Sequence, residues 1–147
     1  MSISLNTGKQ EFVLKFDNGE TRSIFFNPCD PDLAWRLKDY QKKVEARTAE
    51  LSDFALDENG EPTDSAQIET YRAFRNILVE EFDRAFNAKI ANTVFEFCSP
   101  FADVGGGDLY ILHFISAIMP EIEERNAASR EKRKAATQKY LNKYGKA

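Results

Sequence analysis

Glu11-Phe12-Val13-Leu14-Lys15-Phe16-Asp17-Asn18-Gly19-Glu20 is the stretch on which the fold turns. Phe12, Leu14 and Phe16 alternate with polar or smaller residues, so they share one side of a strand. Asp17-Asn18-Gly19-Glu20 then breaks the pattern, and Asn-Gly accepts the positive φ angles of a tight hairpin turn. Thr21 to Phe26 returns the chain, with Ile24 and Phe26 on one face. A β-hairpin is therefore expected at the start of the chain.

After the hairpin the period changes from two to between three and four. Asn27-Pro28-Cys29-Asp30-Pro31 ends the second strand, and Asp30 with Pro31 offers an N-cap followed by a proline at the first helical position. The predicted helix runs to about Ser52, with Leu33, Leu37, Tyr40, Val44 and Leu51 as its apolar stripe. Asp57 to Asp64 reads as an exposed acidic loop, because Gly60 and Pro62 oppose regular structure. A second helix is predicted from Ser65 to Asn87, on the spacing of Ile68, Tyr71, Phe74, Leu78, Phe82 and Ala85, with Asp64 and Gln67 at capping-box spacing.

A short third helix is expected over Ala88 to Cys98. A loop follows, in which Gly105-Gly106-Gly107 reads as a flexible entry to a last helix capped by Asp108. Leu109 to Ile122 is apolar around much of its circumference, which predicts burial on several sides and a kink at Pro120. Glu123 to Tyr144 remains helix-prone but loses the stripe. The expected architecture is α+β, mainly α: an N-terminal β-hairpin followed by a bundle of about four helices with a polar C-terminal helix. It divides into a hairpin and helical body, 1–125, and a basic helical C-terminal extension, 126–147. Phe12, Leu14, Phe16, Leu37, Tyr40, Phe74, Leu78, Phe82, Phe95, Leu112 and Ile115 are the expected core.

Composition limits the function. In 147 residues, 42% are hydrophobic and 12 are Phe, which suits one globular domain. Two distant cysteines, Cys29 and Cys98, are no disulfide framework and point to a reducing compartment. No signal peptide is read in the first residues. No apolar run approaches the roughly 20 residues of a membrane span; the longest, Leu109 to Met119, contains His113 and Ser116. Ala128 to Ala147 holds seven Lys or Arg against one Glu, a charge of +6, which leaves −10 for the rest of a chain whose net charge is −4. Such polarity bears on association rather than fold.

Catalytic and metal chemistry find no constellation. One histidine and two separated cysteines supply no ligand cluster. His113, inside an apolar helix segment, reads as a half-buried structural residue, and a Cys98–His113 pair has no nucleophile motif around it. Glu80-Glu81, Glu123-Glu124 and Asp57-Glu58 read as solvated acidic faces, since adjacent helical residues do not face each other. The triple glycine lacks the Lys-Ser/Thr of a phosphate loop. No enzyme, cofactor or metal is expected.

The central helix ends in Glu81-Phe82-Asp83-Arg84-Ala85-Phe86-Asn87, followed by Ile90, Val94 and Phe95. With the element order of residues 9–125, this resembles the tail assembly chaperones of long, flexible-tailed phages and prophages, in which a Phe-Asp-x-x-Phe segment precedes a short helix. Phe82, Asp83 and Phe86 match. Glycines often follow the second Phe in that family, whereas Asn87 and Ala88 stand here. The resemblance implies a non-catalytic protein of the bacterial host cytoplasm, absent from the mature virion. It would bind the tape measure protein, keep it soluble, help recruit tail tube subunits, and self-associate. Phe82, Asp83 and Phe86, with Arg130, Lys132, Arg133, Lys134, Tyr140 and Tyr144 of the basic extension, are the expected partner contacts. The alternatives are a structural head–tail or tail component of the virion, or a small regulator holding nucleic acid through the basic segment. The latter predicts salt-sensitive DNA binding. No aromatic is interleaved with the basic run before Tyr140 and no recognised nucleic-acid module surrounds it, so nucleic acid is not the favoured partner.

Overall fold

A computed structural model of the chain describes residues 1–48 and 65–145. The element order is β1 (Gln10–Lys15), β2 (Thr21–Phe26), α1 (Leu33–Thr48), α2 (Ser65–Phe86), α3 (Ala91–Val94) and α4 (Tyr110–Tyr144). The fold is α+β and mainly helical, with the hairpin first and four helices after it. The expected acidic loop Asp57–Asp64, the Asp64 cap and the end of the first helix beyond residue 48 lie outside the described residues.

β1 and β2 pair antiparallel, with Phe12 opposite Ile24 and Gln10 opposite Phe26. The turn differs from expectation. Only Gly19 adopts positive φ, at 88°, while the Asn18 side chain accepts a hydrogen bond from the Glu20 N–H at 2.9 Å. Phe16 N–H donates to Glu20 O, and Gly19 N–H to Phe16 O. This is a three-residue loop closed by a glycine bulge, a common alternative to the two-residue turn.

The hairpin lays Phe26 against Phe86 at the end of α2 and Phe12 beneath Arg125 of α4, and Phe12, Ile24 and Phe26 are all buried. Phe12 stacks on Phe26 at 4.4 Å, and Phe26 meets the edge of Phe86 at 5.0 Å. α1 starts where Asp30 Oδ1 accepts the Asp32 N–H at 2.9 Å and Asp30 O the Leu33 N–H. Leu33 and Val44 of its stripe are buried, while Leu37 and Tyr40 are half-buried against the same core. Leu14, Phe16, Phe74 and Ile115 are also only half-buried.

α4 departs most from expectation. It buries Ile111, Phe114, Ile118 and Ile122, a single stripe at helical spacing, and not its whole circumference. Leu112 is 56% exposed and His113 is exposed, against the expected burial of the first and half-burial of the second. The body offers one layer for the helix to lie on, so its opposite face stays in solvent. The helix continues through Pro120 as one 35-residue element. Proline there removes one backbone donor, yet the run does not end, because the Ile118 and Ile122 anchors flank it on the buried face.

Asp108 does not cap α4, whose N-cap is Leu109 with no side-chain bond. Carbonyls of the preceding loop serve instead: Tyr110 N–H donates to Ala102 O and Ile111 N–H to Pro100 O. The triple glycine is a closed turn, not a loose entry. Asp103 Oδ1 accepts the N–H of both Gly105 and Gly107, at 2.8 and 3.1 Å, and all three glycines hold positive φ.

Candidate partner-binding surface

The Phe82–Phe86 segment proves to be the centre of the fold. The Phe82 ring lies 5.0 Å from Phe86, 5.1 Å from Phe95, 5.8 Å from Phe114 and 6.1 Å from Tyr40. It thus joins α1, α2, α4 and the residue that ends α3. Phe82 and Phe86 are 1% and 2% exposed. The expectation that they contact a partner is corrected: their rings are already covered by their own chain.

Asp83 is the polar counterpart. Its Oδ1 accepts the N–H of Ile90 at 2.9 Å, a donor shared with Ala88 O, and of Ala91 at 2.7 Å, satisfying a donor at the start of α3. The chain reverses between them at Asn87, whose φ of 52° is the left-handed conformation that ends many helices. Asn tolerates this conformation better than most residues. Glycine is therefore not required for the turn, and Asn87 fills its role.

Glu81, expected on a solvated face, is instead buried, at 2%. Its Oε1 accepts hydrogen bonds from Arg47 Nη1 at 2.9 Å and Arg84 Nη1 at 2.6 Å, and Arg47 Nη2 also reaches Glu80 at 2.8 Å. The Arg47 bonds tie α1 to α2, while the Arg84 bond lies within α2. Nearby, the Tyr40 hydroxyl donates to Leu78 O at 2.9 Å. Burial first, then the charges of Glu81 and Asp83, push the Tyr40 phenol well above its ordinary range. Adjacent carboxylates gave no sequence signal for this burial, because the partner Arg47 sits on another helix.

The basic extension divides in two. Arg133 folds back onto the body: its Nη1 donates to Cys29 O at 3.2 Å, and its Nη2 donates to Asn126 O and Oδ1. Ser129 Oγ lies 3.1 Å from Cys29 Sγ. Arg133 is thus an internal clamp, which corrects its assignment to a partner. Arg130, Lys132 and Lys134 are exposed. From residue 134 to 145 every residue is exposed, and no hydrogen bond or ion pair joins this stretch to the body among the described residues. α4 runs unbroken through residues 125 and 126, and its side-chain bonds to the hairpin–α1 linker continue as far as Arg133. Beyond it, Tyr140 and Tyr144 stand one helical turn apart with ring centroids at 5.0 Å, and Tyr140, Leu141 and Tyr144 are 51–63% exposed.

Among the described residues no group of three or more His, Cys, Asp or Glu side chains is placed to hold a metal ion. Burial and the nearby Asp17 raise the Cys98 pKa, which favours its thiol over the thiolate a nucleophile needs. Among the described residues no helix is long and apolar enough to cross a membrane. No protein-family model matches the chain, and comparison with curated proteins and with solved structures finds no match.

Proposed function

We propose that the chain is a non-catalytic assembly chaperone for the tails of long, flexible-tailed phages. It binds the tape measure protein in the host cytoplasm, keeps it soluble, helps recruit tail tube subunits, and is left out of the virion. The observation that carries this reading is the arm of α4 beyond Arg133. It is regular helix, each of its residues is exposed, no hydrogen bond or ion pair joins it to the body among the described residues, and it presents Tyr140, Leu141 and Tyr144 beside Lys139 and Lys143. An arm that is ordered but not packed is made for another surface. Its aromatics give contact area at low entropic cost and its cations suit an acidic helical partner.

The Phe82-Asp83-x-x-Phe86 resemblance supports the same reading through the fold rather than through contact. In this account the motif builds the core and the α3 turn, and the arm does the binding. The test is a pull-down with tagged chain from host cells producing tails, paired with a protein inventory of purified virions. Recovery of the tape measure protein, with no chain in the virions, is the expected result. The chain as a stoichiometric virion component would instead make it structural.

A further inference from the structure

We propose that copies of this chain join by strand addition, with residues 2–6 of one copy pairing along the open edge of β1 in the next. This takes up the self-association that the phage-chaperone resemblance implies and gives it a specific surface. Phe16 exchanges backbone bonds with Glu20 and Gly19, so in this antiparallel ladder the even-numbered residues of β1 face β2. Glu11, Val13 and Lys15 therefore turn their N–H and C=O groups outward. Arg125 Nη1 already takes the Glu11 carbonyl, at 2.9 Å. The groups of Val13 and Lys15 have no backbone partner among the described residues.

This edge does not face open solvent. It lines a groove of about 620 Å³ whose far wall is α4, including His113, Ala117 and Glu121. An unpaired strand beside an apolar-floored groove is the geometry that accepts an added strand: backbone bonds give affinity and the groove takes alternate side chains. A bare edge of this kind is otherwise a liability that proteins cover or charge.

The occupant is argued from the same chain. Ser2-Ile3-Ser4-Leu5-Asn6 alternates as a strand does, yet Ile3 and Leu5 are 79% and 83% exposed in their own copy. The segment is held away from its own β1 edge. Asn27 Nδ2, beyond the end of β2, donates to Thr7 O at 3.1 Å, and Gly8 turns the chain at φ +78° with Asn6 Oδ1 accepting its N–H. Residues 2–6, extended, span roughly 17 Å, enough to pass the outward groups of Val13 and Lys15. Charge is compatible: residues 1–10 contain Lys9 and no acidic residue, while Asp17, Asp108 and Glu121 line the groove against Lys15 and Arg125. Donor and acceptor are different surfaces, so the contact is head-to-tail and builds rings or open spirals larger than a dimer.

Sedimentation velocity on three proteins tests this: full chain, chain lacking residues 2–6, and Val13→Pro. Proline at Val13 removes an outward N–H and no β1–β2 bond, which an edge strand tolerates. Full chain should form concentration-dependent assemblies larger than a dimer, and each variant alone should be monomeric. An equimolar mixture of the two variants should give a 1:1 heterodimer, since one retains the donor segment and the other the open edge. Should Val13→Pro not fold, the shortened chain with a synthetic peptide of residues 1–8 serves instead, with slowed amide exchange expected at Val13 and Lys15. A monomeric full chain, a shortened chain that assembles like the full one, or a mixture or peptide that does not bind would overturn the proposal. No tape measure protein is present, so failure here leaves the chaperone reading standing.

Discussion

Asp83 holds Ala91 across the end of α2: one carboxylate oxygen accepts the Ala91 N–H at 2.7 Å and the neighbouring Ile90 N–H at 2.9 Å. Replacing Asp83 with Ala removes both acceptors and should cost about 2 kcal/mol, the upper end for a lost cap. Asn, which keeps one acceptor oxygen, should cost less. Urea denaturation distinguishes these, and equal midpoints for wild type and Asp83→Ala would show that the cap contributes nothing.

Asn87 between them occupies the left-handed region. Asn87→Gly should leave stability unchanged or raise it by a few tenths of a kcal/mol, whereas Asn87→Ala should lower it by about 1 kcal/mol. The same denaturation series measures both. If Ala proved as stable as Gly, the turn would not need positive φ.

Phe82 touches four other aromatic rings, so truncation leaves a cavity at the junction of three helices. Phe82→Ala should lower stability by about 3–5 kcal/mol. A loss under about 1 kcal/mol would place the ring at the surface and restore it as a contact residue.

Tyr40 gives the fold an alkaline limit. Its folded pKa is raised, by burial first and by Glu81 and Asp83, above the ordinary 10.0. The contribution of the neutral phenol is therefore fully present below pH 10.0 and is lost as pH rises from there towards the folded value. At neutral pH Tyr40→Phe should be the less stable protein, by about 1 kcal/mol for the lost bond to Leu78 O. Above pH 10 the gap should close or reverse. A gap independent of pH up to 11 would mean that the hydroxyl reaches water.

The hairpin and the apolar stripes of α1 and α2 were legible because alternation and helical spacing are local signals. Glu81 and Arg133 were not, because both depend on partners far along the chain, Arg47 and Cys29, that only the folded arrangement supplies. Leu112 and His113 were misplaced for a related reason. An apolar stretch shows that a helix can be buried all round, but the number of neighbouring layers decides whether it is. The Phe-Asp-x-x-Phe segment was visible as a motif, but a motif does not say whether its rings face inward. The exposed arm showed only as a helix without a stripe, and the open β1 edge requires the backbone register.

Arg133 marks where the body ends. A chain cut after Arg133 should unfold at the same urea concentration as the full chain, since every residue of the arm is exposed and none bonds to the body among the described residues. A cut after Arg125 removes the Ser129 and Arg133 contacts with Cys29 and should cost about 1–3 kcal/mol.

That pair of truncations makes the central measurement clean. Co-expression of the tape measure protein with the full chain, or with the stably folded chain cut after Arg133, reports directly on the arm through the soluble yield of the tape measure. The full chain should raise that yield and co-purify with the tape measure, and the shortened chain should do neither. If the full chain leaves the tape measure insoluble and does not co-purify with it, the chaperone account is contradicted.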